Sequence, residues 1–170
     1  MVLVHLPIFG HCYLALKLKN PSKQYSIGRV SLNKLEVTTI KQKIVIPKVS
    51  PKQVYEAYVD PEKHGEFTGS KATGKPVVGG KFTAWDEYIF GKFLELDDGK
   101  RVVQEWTTTD WMEGYPASNL ELTFTAVPKG TEICMVHTNV PKGQKDEIAE
   151  GWTEFYWIPL KDYFGNPPKA

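Results

Sequence analysis

At 170 residues the chain has room for one domain with a sizeable core and too little for two. Its formal charge of +1 hides an asymmetry: residues 1–35 hold five basic side chains (Lys17, Lys19, Lys23, Arg29, Lys34) and no acid, which leaves the body at −4. A mildly acidic body argues against the basic stripe of a nucleic-acid binder. Two isolated cysteines and four scattered histidines offer neither a zinc-ligand spacing nor a disulfide framework.

Residues 1–35 are set apart as an extension, and residues 36–170 as the domain. The apolar run Val2 to Leu16 is interrupted by His5, Pro7, Gly10 and His11 and is too short to span a bilayer as a helix. Its positive charge follows the apolar run, the reverse of a secretory signal. The cysteine usage points to a reducing, cytoplasmic setting. The acid-free, Ser- and Arg-containing composition leaves an organelle address as the alternative.

Glu36 to Ile46 is rich in β-branched residues and predicts a strand that Pro47 helps to end. Ser50-Pro51-Lys52-Gln53 carries the marks of a helix start: a capping hydroxyl, a proline where its missing N–H costs nothing, and a glutamine able to reach back. Asp60-Pro61 repeats the signal, so a second short helix is expected over about Pro61 to Glu66. Lys81 to Tyr88, Ile89 to Leu96 and Arg101 to Thr109 read as successive strands, with Asp97-Asp98-Gly99 as the hairpin between the last two. Leu120, Leu122, Phe124 and Ala126 alternate with polar residues, and Ile133, Met135 and His137 share one face of the next strand. Lys145 to Phe164 predicts a helix whose apolar face is Ile148, Ala149, Trp152, Phe155, Tyr156, Leu160 and Tyr163, with a kink at Pro159. Such a helix needs a broad apolar partner, and the concave face of the antiparallel meander is the available one. The order of strand, two short helices, meander and long helix defines an α+β helix-grip (START-like) fold.

Few residues offer chemistry. There is no GxSxG, no histidine at a telling distance from either cysteine, and Gly79-Gly80 leads into a strand rather than a phosphate-binding helix. No catalytic residue, cofactor or metal ligand is assigned. His137 is the titratable residue on an apolar face, and a hydrogen-bonded core histidine is the favoured reading over an acid or base. Phe82, Phe93, Trp106, Phe124, Met135, His137, Trp152 and Tyr156 are expected to line the space between sheet and helix, and bulky enough to collapse it. Trp111 lies in the turn-like Asp110-Trp111-Met112-Glu113-Gly114-Tyr115-Pro116, from which its removal is expected to leave the core intact. Trp157 falls opposite the apolar helix face. Exposed aromatics beside acids are the material of a protein-binding hot spot, so Trp111, Glu113, Tyr115 and Trp157 are the candidate partner contacts.

Val78-Gly79-Gly80-Lys81-Phe82, Gly91-Lys92-Phe93-Leu94-Glu95-Leu96, Val102-Val103-Gln104-Glu105-Trp106, Trp111-Met112-Glu113-Gly114, Val140-Pro141 and Gly151-Trp152 occur in the order found in the C-terminal domain of the activator of heat-shock-protein-90 ATPase. From about Ile40 to Gly165 the chain resembles that family. The resemblance implies a co-chaperone that binds a heat-shock-protein-90-type chaperone and modulates its ATPase without catalysis of its own. Nothing like the family's N-terminal Asn-Asn-Trp-His-Trp signature occurs in residues 1–39, so the resemblance is to the C-terminal domain alone. The alternative function is a carrier or sensor of a small hydrophobic ligand held between sheet and helix, with a cyclase-like enzyme a distant third.

Overall fold

The computed structural model describes residues 35–165. The expectations for the N-terminal extension therefore lie outside the described residues. The described chain forms a seven-stranded antiparallel sheet in the order β1-β7-β6-β5-β4-β3-β2. The strands are β1 (Val37–Pro47), β2 (Thr73–Gly74), β3 (Lys81–Ala84), β4 (Ile89–Asp97), β5 (Arg101–Thr108), β6 (Ser118–Val127) and β7 (Gly130–Pro141). Strands β3 to β7 are the expected meander, and β1 returns beside β7, with Ile44 opposite Ile133.

Helices α1 (Pro51–Val59) and α2 (Pro61–Thr68) follow β1 as expected. Ser50 and Gln53 close a reciprocal capping box at the start of α1, and the Asp60 carboxylate accepts from the Glu62 and Lys63 backbone N–H groups at the start of α2. Each cap satisfies donors the helix cannot, a contribution of about 1 kcal/mol. Strict alternation buries one face of the sheet: Val102, Gln104, Trp106 and Thr108 on β5, Leu120, Leu122 and Phe124 on β6, and Ile133, Met135 and His137 on β7. The buried polar Gln104 is satisfied by the Tyr58 hydroxyl at 2.7 Å.

Against this face lies the C-terminal helix, built as α3 (Lys145–Trp152), a wide π turn (Thr153–Trp157) and α4 (Ile158–Gly165). Pro159 was expected to kink it, and the physical response is the π turn. Proline cannot donate to the carbonyl four residues back, and the Ile158 N–H before it reaches five residues back to the Thr153 carbonyl. One extra residue enters the turn and rotates the downstream face by about 100°. A uniform 3.6-residue period therefore misassigns two side chains. Trp157, expected opposite the apolar face, is 3% exposed, and Phe155, expected on it, is 50% exposed. Trp157 stacks on Trp152 with centroids 5.2 Å apart, and its indole N–H donates to the Gln42 side chain on β1. At the far end the Tyr163 hydroxyl reaches Glu66 of α2 at 2.7 Å. Among the described residues no helix is long and apolar enough to cross a membrane.

The third departure is local. The strand expected over Lys81 to Tyr88 stops at Ala84. Trp85, Asp86 and Glu87 then take φ values of 54°, 53° and 72°, three successive left-handed residues without a glycine among them. L-residues avoid that region at a cost of roughly 1–2 kcal/mol each. No glycine or asparagine announces the turn, so the pattern of side chains reads through it as a strand.

Candidate functional site

The left-handed turn faces the N-terminal half of the C-terminal helix, and between them opens a groove of about 420 Å³. Trp85 and Tyr88 come from the left-handed turn, Trp106 and Thr108 from the end of β5, Asp110 from the turn just after it, and Trp152, Phe155 and Tyr156 from the helix. The expected collapse of the sheet–helix space is thus corrected at this end. Aromatics interdigitate in the middle of the interface, but here they form walls: Trp85 meets Phe155 edge-on at 5.4 Å, and Trp152 lies 4.5 Å from Tyr156. The volume falls in the range of pockets that hold small molecules, about 300–1,000 Å³.

The charged residues lining the groove are Asp86, Asp110 and Glu147, all acidic. Asp110 is fixed by two hydroxyls, Thr108 at 2.7 Å and Tyr88 at 2.8 Å, both donating to Oδ1. The Thr108 hydrogen bond, with help from Tyr88, holds this carboxyl below its ordinary range. Burial, followed by the bond to Asp110, pushes the Tyr88 phenol up to about 12. Gln144 then joins the helix start to this corner, donating to the Asp110 carbonyl and accepting from the Met112 N–H, each at 3.0 Å.

His137 lies behind the groove wall, fully buried. Its proton can be placed by elimination. The Trp152 indole is a donor only, and it points at Nδ1 from 3.2 Å. Nδ1 is therefore the acceptor, and Nε2–H donates to the Ser118 hydroxyl at 2.7 Å. Ser118 in turn donates to the Trp106 carbonyl at 2.7 Å. Both ring nitrogens are committed, and burial holds the imidazole neutral, its pKa pushed down to about 3. This is a structural histidine tying β5, β6, β7 and the helix together.

The expected cavity residues divide three ways. Trp106, Trp152 and Tyr156 line the groove. Phe82 and Phe93, their rings 5.3 Å apart, line a separate cavity of about 20 Å³ beside His64. Phe124, Met135 and His137 belong to the packed core, Phe124 edge-on to Tyr55 of α1 at 5.8 Å. His64 was not singled out by its sequence surroundings. Its Nδ1–H donates to the Tyr58 carbonyl at 2.8 Å, burial lowers its pKa, and its Nε2 has no partner among the described residues.

The expected partner contacts also divide. Glu113 is exposed. Trp111 is half-buried, edge-on to Trp106 at 5.8 Å, and its indole donates to the Pro116 carbonyl at 3.0 Å. Tyr115 is half-buried, its hydroxyl accepting the Glu36 N–H at 3.2 Å. Trp157 is in the core and can form no contact surface. The groove residues Trp85, Asp86, Tyr88, Asp110, Glu147 and Phe155 were missed as a group. They come from three elements whose meeting depends on the left-handed turn and the π turn.

Fold and groove together define a helix-grip domain of the kind expected from the strand and helix order. Residues 48–165 match the family described as activator of Hsp90 ATPase homolog 1-like protein, and the chain belongs to that family. The human activator of 90 kDa heat shock protein ATPase homolog 1 is 32% identical over 116 residues, covering 68% of this chain and 34% of that protein. The Dictyostelium discoideum homologue is 32% identical over 121 residues, covering 71% and 31%. The chain thus spans about a third of the length of these curated relatives. Among solved structures, an HSP90 activator from Plasmodium falciparum superposes with a TM-score of 0.66 at 26% identity, covering 77% of this chain and 97% of that one.

Proposed function

We propose that this domain is a non-catalytic co-chaperone module that binds a heat-shock-protein-90-type chaperone in the cytoplasm and modulates its ATPase. The observation that carries the reading is the family match across residues 48–165 together with relatives named as activators of that ATPase. The contact surface we assign is the turn Asp110 to Pro116, where Met112 and Glu113 face solvent and Trp111 and Tyr115 fix the backbone beneath them. Titration calorimetry against the purified chaperone tests it. The wild-type chain should bind, and Glu113→Lys, an exposed charge reversal, should weaken binding without changing the thermal midpoint. A truncated hot-spot aromatic costs on the order of 2 kcal/mol, roughly thirtyfold in affinity, and that is the loss expected for a folded Trp111→Ala chain. No detectable heat from the wild-type chain would remove the reading.

A second reading rests on the groove of about 420 Å³. Its aromatic walls and few polar groups suit a small amphipathic molecule, which makes a carrier or sensor function the alternative.

A further inference from the structure

The groove has an electrostatic sign as well as a volume. Six aromatic rings, from Trp85, Tyr88, Trp106, Trp152, Phe155 and Tyr156, contribute to its walls, and every charged residue lining it is a carboxylate. Asp86, Asp110 and Glu147 form no ion pair with any described residue, while eight ion pairs are formed elsewhere on the domain. The two hydroxyls that hold Asp110 both donate to Oδ1. The faces of aromatic rings are electronegative and attract cations. Rings and carboxylates converging on one groove, with no lysine, arginine or histidine in its lining among the described residues, repel an anionic head and favour a positive one.

The backbone supports a site built at a cost. The left-handed run Trp85-Asp86-Glu87 is the element that delivers both an indole wall and a carboxylate to the groove. Backbone strain of this kind concentrates at ligand sites, where the surrounding structure holds it. Gly151 keeps the helix side of the groove clear, since a Cβ there would lie 3.7 Å from the Phe155 ring and a larger side chain would project into the space.

We propose that this groove binds a small organic cation, an amine or quaternary ammonium group carried on an apolar body, with the apolar body against the indoles and the cationic head between Asp86, Asp110 and Glu147. The proposal rests on the ligand reading above and is independent of chaperone binding.

The test is titration calorimetry of the full chain with three probes sharing one tail, each below its aggregation concentration: decyltrimethylammonium, decan-1-ol and decanoate. The expected result is one-to-one binding of the cation, roughly tenfold tighter than the alcohol, with decanoate weakest. Asp86→Asn combined with Glu147→Gln should erase the preference for the cation and leave the affinity for the alcohol in place. Gly151→Leu, which fills the groove from a helical position, should abolish binding of all three while circular dichroism reports a folded domain. Equal or tighter binding of the alcohol or decanoate overturns the cation assignment but keeps the ligand reading. Binding that survives Gly151→Leu places the probe elsewhere and overturns the site. Failure of all three probes removes the ligand reading and this inference with it, leaving the groove to be filled by a protein side chain.

Discussion

Two residues illustrate how a burial value becomes a measurement. His137 is neutral in the fold, with its pKa pushed down to about 3 by burial, whereas in an unfolded chain it titrates near about 6.5. Between those limits the unfolded chain binds the extra proton. Stability is therefore complete above about pH 6.5 and is lost as pH falls below it, by up to about 1.4 kcal/mol per pH unit from this residue. His64, also lowered by burial, acts in the same direction. The urea midpoint should be lower at about pH 5 than at about pH 7, and His137→Leu should show a shallower decline; a wild-type midpoint that stays level over this span rules out the neutral assignment. Trp111 supplies the second case. Its edge-on contact with Trp106 and its bond to Pro116 mean that removing it disturbs the wall of the core. Trp111→Ala should cost about 1–2 kcal/mol, against about 3–5 kcal/mol for Trp106→Ala, whose ring is buried. Chemical denaturation of the two variants separates the costs, and any comparison of their chaperone affinity has to start from those values.

At the scale of elements, the strands of the meander and both capped helices were legible because alternation and cap chemistry are local. Ser50 with Gln53, and Leu120, Leu122 and Phe124, signal their roles within a few residues. What was not legible depends on backbone choices that side-chain pattern does not encode. Periodicity assumes one helical pitch, and the π turn changes it between Trp152 and Ile158, which exchanges the burial of Phe155 and Trp157. Trp157→Ala should consequently cost about 3–5 kcal/mol and Phe155→Ala about 0.5 kcal/mol or less, the reverse of what a regular helix predicts. Equal costs in urea denaturation would mean the helix is regular in solution. The left-handed turn makes a similar test possible. Glu87 is exposed, does not line the groove and has φ of 72°, so Glu87→Gly should raise stability by about 1 kcal/mol by relieving the conformation, read as an increase in thermal midpoint. Glu87→Val should lower it.

Across the whole described domain, the sheet is closed on one side by partners far apart in sequence. Strand β1 pairs with β7 along nearly its full length, so the loop that brings them together includes the entire meander. Contacts of long sequence separation form late and slowly. Ile46→Val on β1 should act mainly by accelerating unfolding, while Leu122→Ala in the meander should slow folding; stopped-flow chevrons distinguish the two, and matching folding-arm losses would contradict the order. The same packing has an optical consequence. Trp111, Trp106, Trp152 and Trp157 form a continuous chain with successive centroids 5.8, 6.0 and 5.2 Å apart. Indoles this close share excitation, so absorbed light migrates along the row before it is emitted, and its transitions couple into a paired positive and negative band in circular dichroism. Because Trp106 stands on the sheet and Trp152 on the helix, the part of that band that arises from their 6.0 Å pair exists only while the two layers are joined. The protein thus carries an intrinsic spectroscopic gauge of helix docking, readable without any added label.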